Sequence, residues 1–330
     1  MAPKRRILSG MRPTGRFHLG NYFGAAKNWV ELQNGGDYEC FYMVADYHGL
    51  TTQPHARDFE DDLFDLAGDI LAVGIDPAKS VFYLQSSVPE VAELFLLFSM
   101  VTPYGWVQRT PTFKEKARQQ PDNVNFGLFA YPVLQAADIL LVKGGFVPVG
   151  GDQDAHVEMA RETARRFNRV YKPIFPEPKS LSTETPRILG TDGRQKMSKS
   201  LGNVVGVTDP PEVIRKQVLS MVTDTKRVYK SQPGHPRSCN VDSLYKVFFP
   251  NDWQHYWDLC RKAQIGCHEK KQILAERIVE TFEPFRERRS DLTRKEIQQV
   301  LEAGSRQARE VAVETVREAR SAVGLLPPLI

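Results

Sequence analysis

The sequence predicts a doubly wound parallel-sheet (Rossmann-like) α/β domain followed by an all-α domain. Two observations carry the prediction. Short apolar runs alternate with amphipathic helical stretches over residues 1–205, and beyond about Pro210 helical periodicity continues without a convincing strand. The chain has 330 residues, of which 41% are hydrophobic and 25% charged, a length and composition that suit two domains with ordinary cores. We divide it into residues 1–205, with an inserted segment at about 100–140, and residues 206–330.

Taken in order, Ile7–Gly10, Cys40–Ala45, Val81–Leu84 and Val147–Val149 read as short buried strands bounded by polar or turn residues. Between them Phe59, Leu63, Leu66, Ile70 and Val73 recur at helical spacing. Val157, Ala160, Ala164 and Phe167 do the same, in a helix that Asp152 is placed to cap. Strand–helix alternation of this kind gives parallel strands covered on both faces. Gly190, Gly193 and Gly202 bracket the segment Lys196–Ser200 and leave it free to move. Residues 226–238, with two prolines and a glycine, read as a long surface loop. The last helix carries Ile297, Val300, Gly304, Ala308, Val311, Thr315 and Ala319 on one face, and Arg306, Arg309, Glu310, Arg317 and Glu318 on the other. No internal repeat or low-complexity tract is present.

Residues 1–205 hold 23 Lys+Arg and 23 Asp+Glu, whereas residues 206–330 hold 21 against 17. The whole net charge of +4 therefore lies in the C-terminal part, a surplus that suits a phosphate backbone or simply a solvated helical surface. No apolar run approaches the roughly 20 residues of a membrane span. The basic Met1–Ile7 stretch has no apolar signal core, and four cysteines do not make a disulfide scaffold. A cytoplasmic protein is the expectation.

Gly10–Phe17 has the glycine spacing of a phosphate-binding loop but lacks its Lys-Ser/Thr ending, and no GxGxxG follows a strand. His18-Leu19-Gly20-Asn21 offers another means. A first strand ending in a glycine-rich turn feeds a helix that begins near Gly20, and helix N-termini at strand ends take anions. There His18 and Asn21 are neutral donors, and Gly20 lets an adenine lie near the backbone. The bland alternative is a helix start with a core histidine. Lys196-Met197-Ser198-Lys199-Ser200 sets two lysines three apart in a glycine-flanked loop, able to stabilise charge on a leaving pyrophosphate. Alone it is a solvated basic loop; the two patterns together, in this order across a βα sheet, point to ATP.

His18–Asn21 and Lys196–Ser200 resemble the two signatures of the class I aminoacyl-tRNA synthetases, the first with Leu for the usual Ile and Asn for the terminal His. Gly10–Gly15, Tyr131–Leu140 and Val147–Gln153 narrow the resemblance to the bacterial type of the tryptophanyl-tRNA synthetase family, and it covers essentially the whole chain. It implies ATP with Mg2+, L-tryptophan and tRNA(Trp) as substrates, a homodimer, and a helical C-terminal domain that binds the anticodon. It implies ATP contacts from Arg12, Thr14, Gly15, His18, Gly20 and Asn21, from Gly150 and Asp152, and from Lys196, Met197, Ser198 and Lys199. His18, Asn21, Lys196 and Lys199 would act on the phosphates, with Lys116 joining on closure. The tryptophan pocket would be His48, Tyr131, Gln135, Asp138, Val147, Val149 and Gln153. Asp138 would accept the indole N–H, a donor-only group. For Tyr131, Gln135, Val147 and Val149 ordinary core packing is the competing account, and for Lys116 a plain surface lysine.

Gly151 stands where many relatives carry Glu, and Arg12 where others have Gln. One branch of the family holds a [4Fe–4S] cluster on four C-terminal cysteines; Cys239, Cys260 and Cys267 match three of them, and Lys270 occupies the fourth position. We expect remnant thiols packed as small apolar groups, with a cluster as the alternative. A Cys3His zinc site is awkward because His268 adjoins Cys267. Cys40 reads as core. The rivals for function are a tyrosyl-tRNA synthetase, a nucleotidyltransferase with a similar first signature, and a catalytically silent paralogue that senses tryptophan or tRNA.

Overall fold

The computed structural model describes residues 5–52, 55–110, 113–114, 117–118, 120–149, 154–182, 188–198 and 201–327. Five strands, β1 (Arg5–Met11), β2 (Tyr38–Val44), β3 (Ser80–Leu84), β4 (Phe146–Val149) and β5 (Lys179–Ser182), form one sheet in the order β3-β2-β1-β4-β5. All neighbours pair in parallel, with Ile7 opposite Cys40, Cys40 opposite Ser80, and Phe146 opposite Lys179. β5, with the sequence Lys-Ser-Leu-Ser, was not among the strands read from the sequence. It is an edge strand, so it needs neither a long apolar run nor strict alternation.

Alternate residues of each strand serve opposite faces. Ile7, Tyr42, Val44 and Phe82 pack on one side, with α2 (Lys27–Gly35) and α4 (Ala56–Ala72); between β2 and α4 lies the short α3 (Asp46–Gly49). Leu8, Phe41, Met43 and Tyr83 pack on the other, with α5 (Glu90–Val101), α7 (Phe126–Leu141) and α8 (Asp154–Val170). The short α6 (Tyr104–Arg109) precedes α7. Near the N-terminus, α1 (Leu19–Asn21) runs through a π-helical turn, Tyr22–Ala26, into α2. The C-terminal part is helical throughout: α9 (Pro211–Leu219), α10 (Asn240–Phe248), α11 (Trp253–Arg261), α12 (Cys267–Asp291) and α13 (Arg294–Val323). Residues 222–239 form the loop expected there, closed by one 3-10 turn, Pro236–Ser238.

The core does not stop at residue 205. Leu244, Tyr245, Leu274, Ile278 and Phe282 of α10 and α12 join the apolar cluster that covers the first face. α13 crosses back to β3, burying Ile297, Gly304, Ala308, Thr315 and Ala319 as its periodicity implies, with Leu301, Ala312 and Val316 beside them. A Cβ at Gly304 would lie 1.9 Å from the Phe82 carbonyl oxygen, so only glycine lets the helix backbone rest on the strand. Ser305 Oγ accepts from Leu84 N at 3.3 Å beside it.

Candidate active site

With the order 3-2-1-4-5, the crossovers from β1 run in opposite directions and open a crevice beyond the carboxyl ends of β1 and β4. The elements leaving the strand ends therefore meet there. β1 leads to Arg12 and the first signature, β2 to α3 with His48, and β3 to Gln85 in the 3-10 turn Gln85–Ser87.

His18 caps α1. Its backbone N donates to Asn21 Oδ1 at 3.1 Å, and its Nδ1 accepts from Asn21 N at 3.3 Å. An accepting Nδ1 places the ring proton on Nε2, and burial lowers the imidazole pKa to about 4, so at pH 7 the ring is a neutral donor. Asn21 has spent its amide oxygen on the cap, and its NH2 is the part able to donate to a ligand. The ring lies against Gly20, where a Cβ would be 3.0 Å from His18 Nδ1 and 3.7 Å from Met197 Cβ. The two signatures thus touch at a glycine. Arg12 is half-buried, and burial draws its pKa down while Tyr131 pushes it up. Thr14 is exposed, and Gly15, next in the chain, takes a φ of 107°.

The segment just after the second signature is tied to the first by backbone. Leu19 N donates to Val205 O at 3.0 Å, Val207 N donates to Phe17 O at 3.2 Å, and His18 bridges to Gly206. Lys196 is exposed and forms an isolated bridge with Leu189, Met197 is buried, and Ser198 is half-buried. Asn203, unforeseen from the sequence, clasps this loop. Its Oδ1 accepts from Ser198 N at 2.8 Å, and its Nδ2 donates to Asp192 Oδ2 at 3.0 Å and Lys196 O at 3.3 Å. Lys199, Ser200, Lys116, Gly150, Asp152 and Gln153 lie outside the described residues, as does the proposed Asp152 cap.

Deeper in, Asp138 is 2% exposed on α7. Its Oδ2 pairs with His48 Nε2 at 2.8 Å, and its Oδ1 accepts from Gln85 Nε2 at 2.8 Å. A buried carboxylate with both oxygens partnered is held in one orientation. Gln85 was also missed by sequence reasoning. It is 1% exposed, and its Oε1 has no hydrogen-bond partner among the described residues. Tyr131, buried on the same helix, meets His156 Nε2 through its hydroxyl at 3.0 Å and sets its ring edge-on to His48. His156 is a third omission; a buried polar residue on an otherwise apolar helix face was the available signal. Gln135 is half-buried and Val147 buried, while the backbone of Val149 pairs with Ser182.

The profile described as tRNA synthetases class I (W and Y) matches residues 2–283. The tryptophan–tRNA ligase of Thermotoga maritima is 43% identical, the match covering 97% of this chain and 99% of that protein. That of Aquifex aeolicus is 41% identical, covering 97% and 100%. This chain belongs to the tryptophanyl-tRNA synthetase family. The tryptophanyl-tRNA synthetase of Campylobacter jejuni, solved with ADP and tryptophan, superposes with a TM-score of 0.87 at 35% identity over 97% of this chain and all of that one. A tyrosyl-tRNA synthetase from Archaeoglobus fulgidus shares the fold alone, at 22% identity and a TM-score of 0.67.

The family's cluster position takes a different form in this chain. Cys239, Cys260, Cys267 and Lys270 line one cavity of about 10 Å³, with Asp224, Arg227 and Asp242. That is room for about one water. Lys270, 3% exposed, donates from Nζ to Asp242 Oδ1, and its ammonium lies 4.8 Å from the Tyr245 ring centroid. Burial pushes the Cys239 thiol up to about 11 and raises Cys260 as well. An ammonium cannot ligate iron, and this one is committed to a carboxylate, so these residues do not supply the fourth ligand of a four-cysteine cluster.

Proposed function

We propose that the chain activates L-tryptophan with ATP·Mg2+, giving tryptophanyl-adenylate and pyrophosphate, and passes the acyl group to a terminal ribose hydroxyl of tRNA(Trp). The observation that carries this reading is Asp138, buried in the crevice and held from both sides by Gln85 and His48. Each carboxylate oxygen keeps accepting capacity beyond its one bond, which suits a donor-only indole N–H. An apolar pocket whose buried acceptors demand a partner rejects ligands that lack one, so no editing step is needed.

The amino acid's own carboxylate attacks the α-phosphorus, and no enzyme nucleophile is required. The chain then acts by positioning and by stabilising charge. His18 Nε2–H and the Asn21 amide donate to phosphate oxygens, and Lys196 and Lys199 meet the charge that grows on the leaving pyrophosphate. Arg12, Thr14, Gly15, Gly20, Gly150, Asp152, Met197 and Ser198 line the nucleotide, and Lys116 joins on closure. His48, Tyr131, Gln135, Val147, Val149 and Gln153 complete the tryptophan pocket. The Asn203 clasp on Lys196 O and Ser198 N holds this part of the second signature, so its movement during turnover requires those bonds to open or to travel with it.

Residues 1–205 carry activation and the helices of 206–330 hold the tRNA anticodon arm, with α13 joining the two. A homodimer seats on the apolar patch of Leu96, Met100, Tyr104 and Phe126, all more than half exposed on α5–α7. Sedimentation as a single chain would remove that assignment. Among the described residues no helix is long and apolar enough to cross a membrane, and the substrates are those of the cytoplasm. Pyrophosphate exchange into ATP across the twenty amino acids tests the whole reading: tryptophan-dependent exchange is expected. Preference for tyrosine would make the chain a tyrosine enzyme, and no exchange at all would make it a sensor.

A further inference from the structure

The loop between α9 and α10 has no part in amino-acid activation, yet it is carefully built. Its tip presents Tyr229, 67% exposed, and Val228, 74% exposed, to solvent. The backbone beneath them is pinned: Gln232 Oε1 accepts from Val228 N at 2.9 Å and Tyr229 N at 3.0 Å, and Gln232 N donates back to Tyr229 O at 3.1 Å. At the base, Asp224 accepts from Lys226 N at 3.0 Å and from His235 N at 2.6 Å. Arg227 donates to Ile265 O at 2.9 Å, and Gly234 N to Cys260 O at 3.0 Å, which seats the loop on the turn between α11 and α12. Lys226, Lys230 and Arg237 of the loop are exposed, as are Arg261 and Lys262 of that turn; Glu269, 3.7 Å from Lys230, is a nearby carboxylate. An exposed aromatic on a rigid base with a cationic rim is the arrangement that stacks unpaired bases while cations meet phosphates.

We propose that this loop binds a single-stranded segment of RNA, with Tyr229 stacking on an unpaired base and Lys226 and Lys230 meeting its phosphates. The proposal rests on the tRNA-charging function above and names one part of the surface that holds the RNA. The cationic rim favours RNA over an apolar protein partner.

The test compares wild type, Tyr229→Ala, Tyr229→Phe and Lys226→Ala/Lys230→Ala in two assays. Tryptophan-dependent pyrophosphate exchange uses no RNA and should be unchanged in all of them; its absence in wild type would refute the general function, not this loop. In tRNA charging, Tyr229→Ala should lower kcat/KM for tRNA roughly tenfold or more, and Tyr229→Phe should stay near wild type. The double lysine variant should lower the salt dependence of tRNA binding by roughly one to two in log–log slope. Normal charging by Tyr229→Ala overturns the proposal. So does a change in sedimentation on Tyr229→Ala without loss of charging, which would mark a protein-binding face.

Discussion

Asp138 sits between Gln85 Nε2 and His48 Nε2, each at 2.8 Å. Removing the carboxylate leaves two buried donors without an acceptor and, on the function proposed above, the indole N–H as well. Asp138→Ala should therefore cost about 1.5–3 kcal/mol in kcat/KM for tryptophan, read by pyrophosphate exchange. Gln85→Leu should raise KM for tryptophan by a smaller factor, because Asp138 then loses one of its two holders. An unchanged kcat/KM in Asp138→Ala would place tryptophan elsewhere. His18 supplies the pH dependence at this scale. Its folded pKa of about 4 lies below the usual value of about 6.5, so between those values the folded protein binds fewer protons than the unfolded chain. Stability on its account is complete above about 6.5 and falls as pH drops toward 4, by up to about 3 kcal/mol. A ring NMR titration of His18 should show a midpoint near 4, and a midpoint at 6–7 would mean a solvated ring.

At the scale of elements, α13 is the piece that locks the helical half to the sheet. Its helix backbone reaches β3 at Gly304, where an added Cβ would meet the Phe82 carbonyl at 1.9 Å. Alanine is the better helix former by about 1 kcal/mol, so on propensity alone Gly304→Ala would stabilise. The clash is with backbone that belongs to a paired strand and cannot move alone. Overpacking of this kind costs about 1–3 kcal/mol or more, and the net result should be a lower midpoint in urea unfolding. A raised midpoint would mean that α13 shifts freely along the sheet.

Across the whole molecule, the place where part of the family builds a cluster is built here from an ion pair. Lys270 and Asp242 are each 3% exposed, and one partner without the other would leave a buried charge. Lys270→Met should destabilise the protein by about 3–5 kcal/mol in denaturant unfolding. Anaerobically purified protein should contain no stoichiometric iron or acid-labile sulfide, and about four irons per chain would overturn the ion-pair account. The apolar cluster shared by the sheet and by α10 and α12 also predicts one cooperative transition for both halves rather than two.

Local pattern determined much of this protein. Short apolar runs marked four of the five strands and period-3.6 spacing marked several of the helices, because burial on a sheet face or a helix stripe leaves its imprint on neighbouring residues. Side-chain chemistry singled out His18, Asn21 and Lys196 as donors suited to phosphate, and the family resemblance, not the local pattern, pointed to Asp138. Only the tertiary structure decided the rest. β5 has an edge strand's sequence and carries little period. Gln85, His156 and Asn203 acquire a role only from partners that are 25 or more residues away or folded back across a loop. Gly304 is a helix interruption until β3 lies beneath it. Lys270 reads as a missing ligand until Asp242 is found buried against its ammonium, because an ion pair formed 28 residues apart leaves no mark on the local sequence.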